Sequence, residues 1–158
     1  MSKRLIAFAT ASLLPLSVQA ADMPKSGMDS FTNTWMVTSS NLMKVGDRTL
    51  GTYEISGIHH NDNRDAMIPN MGMRCLGIFV ETQEHGGCTY TDKDGDQIMT
   101  TFEKKTIENG GIETLVAGTG KFAGISGTSE FTVIQFPVKA DDKVDRGVVA
   151  EKWQWKLP

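Results

Sequence analysis

The sequence predicts an all-β fold, a single antiparallel β-barrel of about eight strands, on three observations. Sixteen glycines in 158 residues imply frequent turns. Segments of four to ten residues alternate apolar and polar side chains with period two, or are rich in β-branched and aromatic residues. No stretch carries the i, i+3, i+4 spacing of a long amphipathic helix. Consecutive antiparallel strands in this number close most readily into a small barrel, because closure removes the unpaired edges of an open sheet.

The elements follow in order. Met1 to Ala20 reads as a secretory signal peptide: Lys3 and Arg4, an apolar run from Leu5 to Leu16, and Val18-Gln19-Ala20 with small residues three before and one before the cut. The run is short for a stable anchor, and no cysteine stands at the cut, so no membrane span is expected after cleavage and the mature chain is expected to be periplasmic or secreted. Cleavage leaves 138 of 158 residues, the size of one domain. Residues 21–33, with Pro24 and Gly27, read as a loosely held arm, and 34–158 as the barrel domain. Thr34 to Thr38 is a short strand, with a helix-like window at Ser39 to Lys44 after it. Leu50 to His59 is the first long strand, followed by a loop from Asn61 to Gly72. Met73 to Glu81, a Gly86-Gly87 break, and Cys88 to Thr91 come next. Asp92-Lys93-Asp94-Gly95 is a turn whose Asp-Gly favours positive φ, and Asp96 to Glu103 returns antiparallel. Asn109-Gly110-Gly111 leads into Ile112 to Ala117, and Thr128 to Phe136 and Val148 to Lys156 complete the chain.

Composition narrows the function. Hydrophobic residues at 39% and charged residues at 22% fit a globular domain rather than a disordered or membrane-spanning one. The formal charge of −3 becomes −5 once Lys3 and Arg4 leave with the leader. An acidic domain this small is poorly suited to phosphate backbones, so nucleic acid is not expected as a partner. Cys75 and Cys88 form an even pair across a hairpin, and in an oxidising compartment their simplest state is a disulfide.

Three further patterns bear on sites. Asp92, Asp94, Asp96 and Glu103 occupy positions 1, 3, 5 and 12 of an EF-hand count, but Gln97 stands where the required glycine belongs and no flanking helix exists, so turn chemistry is the reading and no metal site is assigned. His59 and His60, with Met67, Met71 and Met73 beyond them, offer imidazole and thioether ligands of the kind that suit copper, although adjacent strand histidines face opposite ways. In the last strand Val149, Glu151, Trp153 and Trp155 share one face while Lys152, Gln154 and Lys156 share the other, which points the tryptophans inward. Glu151 on that face is either solvated at the barrel mouth or buried against a partner such as Arg74 or Lys121.

Gly118-Thr119-Gly120-Lys121-Phe122-Ala123-Gly124-Ile125-Ser126-Gly127 is neither a Walker loop, since Phe122 follows Lys121, nor a dinucleotide fingerprint. Followed directly by a strand, it resembles the glycine-rich stretch of the allene oxide cyclase-like barrel superfamily, which includes dirigent-type proteins. Cys75-Leu76-Gly77, Gly86-Gly87-Cys88 and Asp92 to Asp96 resemble a group of small exported proteobacterial proteins near that superfamily. The resemblance implies an eight-stranded antiparallel barrel whose lumen can hold an apolar molecule. Three function classes follow. The leading one is a noncatalytic exported barrel with no cofactor, binding a small apolar ligand in a lumen lined by Tyr53, Phe131, Glu151, Trp153 and Trp155. The second is an allene oxide cyclase-like isomerase or cyclase with Glu151 or Glu54 as its polar group. The third is a periplasmic copper-binding protein using the Met67 to Met73 loop.

Overall fold

A computed structural model describes residues 24–105, 109–136 and 144–158; the leader assignment lies outside these residues. Among these residues eight strands run β1 Ser26–Val45, β2 Arg48–Asn61, β3 Met71–Val80, β4 Gln83–Thr91, β5 Gln97–Lys105, β6 Gly110–Gly118, β7 Ser126–Gln135 and β8 Arg146–Lys156, with one 3-10 turn at Gly120–Phe122. Each strand pairs antiparallel with the next, and β8 pairs back onto β1 to close the barrel. The expected fold class is the observed one.

Closure explains where local reading and structure part. β1 begins at Ser26, inside the segment expected to be an arm, because Ser26 to Met36 is hydrogen-bonded to β8 on one side and Phe31 onward to β2 on the other. The same strand continues to Val45 through the helix-like window, with a register shift between Val37 and Ser39. Pairing with β2 overrides a weak local helix preference. Gly86 and Gly87 lie within β4, opposite Phe102 and Thr101 of β5, and do not break it.

The two ends of the barrel differ. The connections β2–β3, β4–β5 and β6–β7 all fall at one end, which is filled. Phe122 and Ile125 from the glycine-rich segment and Ile68 from the β2–β3 loop are fully buried there, joining Ile98, Leu115 and Trp155. Gly120 (φ +52°) and Gly124 (φ +79°) give that segment its backbone, and a Cβ on Gly120 would collide with the Asp96 carboxylate. The β1–β2 and β3–β4 turns lie at the other end, toward which β5 and β7 also run. At the closed end Asp92 accepts from the backbone N–H groups of Asp94 (2.8 Å) and Asp96 (3.0 Å), and Lys121 Nζ lies 2.5 Å from its carboxylate. Asp92 to Asp96 is thus an Asx-stabilised turn whose cation is a lysine of this chain.

Cys75 and Cys88 are directly opposed on β3 and β4 and joined by a disulfide facing the lumen. No helix among the described residues is long and apolar enough to cross a membrane.

Candidate functional site

An eight-stranded barrel has an interior that side chains can just fill or that can hold one small ligand, so the packing of inward residues decides which. Here six inward glycines each lie beneath an aromatic ring on the directly paired residue of the neighbouring strand: Gly27 under Trp155, Gly51 under Phe79, Gly77 under Tyr53, Gly86 under Phe102, Gly111 under Phe131 and Gly147 under Trp35. A Cβ at Gly77 would stand 2.2 Å from the Tyr53 ring. Without those Cβ atoms the rings lie against the barrel wall instead of projecting across it. The half of the lumen away from the glycine-rich segment keeps a cavity of about 310 Å³.

Its walls are apolar, with Trp35, Ile55, Phe79, Phe102, Phe131 and Val149 among them, and the Cys75–Cys88 disulfide forms part of one side. Near the rim, Lys104 Nζ lies 2.9 Å from Glu84 Oε1, and Tyr53 Oη donates to Glu84 Oε2 at 3.2 Å. Burial, then the Glu84 charge, raises the Tyr53 phenol well above its ordinary range and keeps it protonated.

The floor carries two carboxyls. Glu151 of β8 is buried, accepting from Asn33 Nδ2 and from Trp153 Nε1, each at 2.7 Å. Glu113 of β6 is 2% exposed and accepts on Oε1 from Tyr90 Oη at 2.9 Å and from Thr100 Oγ1, and its carboxyl lies within hydrogen-bonding reach of the Glu151 carboxyl. Desolvation pushes the Glu113 carboxyl up to about 7, against the opposing pull of the Thr100 and Tyr90 hydrogen bonds. Desolvation and then the charge of Glu113 raise Glu151 well above the carboxylate range. His59 Nδ1 lies 3.9 Å from Glu151 Oε2. Its ring is stacked on Phe31 at 3.8 Å, with Tyr90 at 4.5 Å and Trp153 at 4.7 Å, and both its nitrogens lack hydrogen-bond partners. Burial lowers its pKa to about 3, so it is neutral at physiological pH.

The residues singled out in the sequence therefore divide. Tyr53, Phe131 and Glu151 line the cavity. Trp153 and Trp155 face inward as expected, but pack in the core beneath it, Trp153 supporting Glu151 and Trp155 donating to Asp29 at 2.6 Å. Glu151 is not solvated, and neither Arg74 nor Lys121 is its partner: Arg74 pairs with Glu54 on the outer face at 2.6 Å, and Lys121 with Asp92. Glu54, engaged outside the barrel, is removed from any lumenal chemistry. Met71 and Met73 belong to β3 and are buried in the core, with Met67 packed against it, rather than displayed on a loop. His60 is exposed and His59 buried, as opposite faces require. Glu113, Asn33, Tyr90 and Thr100 were not anticipated. Glu113 shares strand parity with Leu115, the one signal that could have turned it inward.

No protein-family model matches the sequence, and no curated protein matches it significantly. Solved structures do. The pterocarpan synthase dirigent protein GePTS1 superposes with a TM-score of 0.53 over 94% of this chain and 100% of its own, at 11% identity. The pterocarpan synthase dirigent protein PsPTS1 does so with a TM-score of 0.52 over 85% of this chain and 97% of its own, at 12% identity. The chain has the dirigent-type barrel fold. At such identity the likeness extends to the fold alone, and the lumenal residues of this dirigent-type barrel stand on their own geometry.

Proposed function

We propose that this protein is an exported dirigent-type barrel that binds one small, mostly apolar molecule in the lumenal cavity, with a polar group of the ligand meeting Glu113 and Glu151 at the floor. The observation that carries the reading is an aromatic cavity of about 310 Å³ with two buried, interacting carboxyls, Glu113 and Glu151, in its lining. A polar group of a ligand that hydrogen-bonds to this pair offsets part of the cost of burying it. The volume sits at the low end of ligand pockets, which suits a ligand of one or two rings. The lumenal disulfide and the leader-like first 20 residues support a periplasmic or secreted location.

Titration with a panel of neutral aromatic and terpenoid compounds, followed by tryptophan fluorescence, tests the reading, since Trp35 lines the cavity. Binding weakened by Phe131→Ala and by Val149→Trp is expected. A panel without binders, or binders indifferent to both substitutions, refutes it.

An isomerase or cyclase reading gains one specific support: two interacting carboxyls with raised pKa values are suited to exchanging protons with a bound substrate. Recovery from the wild type of an isomer of the supplied ligand, with unchanged material from Glu113→Gln, is the outcome that reading requires.

A further inference from the structure

Resting on the lumenal reading, we infer that the ligand is an organic cation, a small aromatic or aliphatic ammonium whose charged nitrogen sits against Glu113 and Glu151.

The argument begins with what faces the carboxyl pair. From β1 comes Asn33, from β2 His59, from β4 Tyr90, from β5 Thr100, and from β8 Trp153 beside Glu151 itself. None of these supplies a positive charge. His59 is neutral, and its nearer nitrogen stands 3.9 Å from Glu151. Among the described residues that line the cavity, Lys104 alone is cationic, and it is held by Glu84 near the rim. Against it stand Glu84, Glu113, Glu151 and Asp145, all in the lining. The lumen is thus an acidic site with aromatic walls, and among the described residues that line it no cation faces its two deepest carboxyls.

Buried carboxylates are compensated by a cation or by a proton. Without ligand, the proton is the solution available to Glu113 and Glu151. An ammonium offers the other. Its N–H donors can take the place of the proton between Glu113 and Glu151, and the Phe102 and Phe131 rings in the lining add cation–π attraction in a desolvated setting. A carboxylate ligand meets like charge at the floor. A neutral alcohol gains one hydrogen bond and no charge pairing, so the site discriminates for the cation by the charge-assisted part of the interaction. The acidic chain also favours approach of a cation.

The probes are 2-phenylethylamine, 2-phenylethanol and phenylacetate, titrated into the full mature protein by calorimetry and tryptophan fluorescence. At pH 8 the amine is expected to bind at least about tenfold more tightly than the alcohol, and phenylacetate most weakly. The amine must displace a proton from the carboxyl pair, so its Kd is expected to rise about tenfold from pH 8 to pH 6, while the alcohol's stays nearly flat. Glu113→Gln and Glu151→Gln are each expected to abolish the preference for amine over alcohol. The wild-type comparison decides the matter even where a variant fails to fold. Alcohol binding as tightly as amine, or an amine Kd independent of pH, overturns the cation inference and leaves the lumenal reading standing. Absence of binding by all three probes and by the neutral panel overturns both.

Discussion

Replacing Glu113 by Gln should stabilise the protein increasingly as pH rises from about 5 through 7. The carboxyl of Glu113 is fully buried and pushed from 4.5 up to about 7 by desolvation. Between those values the native state keeps a proton that the unfolded chain releases. Stability from this group is therefore complete below about pH 4.5 and is lost as pH rises through 7, after which the deficit is constant. A shift of this size corresponds to about 3 kcal/mol. Gln is neutral throughout and retains an acceptor oxygen for Tyr90 and Thr100. It also removes the negative charge that helps to raise Glu151, which acts in the same direction.

The assay is urea unfolding monitored by tryptophan fluorescence at half-unit steps from pH 5 to pH 9. Near pH 5 wild type and variant should lie within about 1 kcal/mol, because both floors are neutral. By pH 8 the variant should be more stable by about 2–3 kcal/mol, a midpoint shift of roughly 1–3 M urea for a domain of this size. His59 does not confuse the comparison. Its pKa is lowered to about 3, so it destabilises both proteins as pH falls below its unfolded value of about 6.5, and the effect cancels in the difference. Parallel curves across the range would show that Glu113 does not hold a raised pKa and that the floor is hydrated or already compensated.

Three further outcomes are expected. Thiol labelling of the unfolded, unreduced protein should find no free cysteine, and Cys75→Ala should lower stability by about 3 kcal/mol, or roughly 10 °C in Tm, with the circular dichroism at low temperature unchanged. Gly77→Ala should fold, since its nearest obstacles are Tyr53 ring atoms, yet push that ring into the cavity and weaken binding of ring-bearing ligands; unaltered affinity would show that the ring-over-glycine pairs do not shape the lumen. Gly95→Val should cost about 1 kcal/mol or more, because φ is +88° while nothing lies within 4 Å to clash, and added calcium should leave Tm unmoved because Lys121 already occupies the acidic turn.

How far the molecule was legible depends on whether a feature is set within one strand or between strands. The inward face of β8 could be read because its alternation is one-sided: Trp153 and Trp155 are opposed by Lys152, Gln154 and Lys156, and a single parity satisfies all five. β6 offers no such contrast. Ile112, Thr114 and Val116 on its outer face are as apolar as Leu115 and Ala117 on its inner one, so period two does not say which way Glu113 points. Asn33 was hidden by Pro24 and Gly27, which look like loop punctuation until β8 is known to pair with Ser26 onward. The cavity itself is a matter of register. Tyr53 and Gly77 stand 24 positions apart, and only the pairing of β2 with β3 lays the Tyr53 ring over a residue without a side chain. One residue of slip would place that ring over Leu76 or Ile78 and turn it to the outer face. Whether an eight-stranded lumen is filled or open was therefore undecidable from composition, and the position of its glycines relative to its rings across the strand pairs is what decides it here. The same closure carries β1, β6 and β8 to one floor, where Asn33, Glu113 and Glu151 become neighbours and two ordinary carboxylates acquire the raised affinity for protons on which a ligand can act.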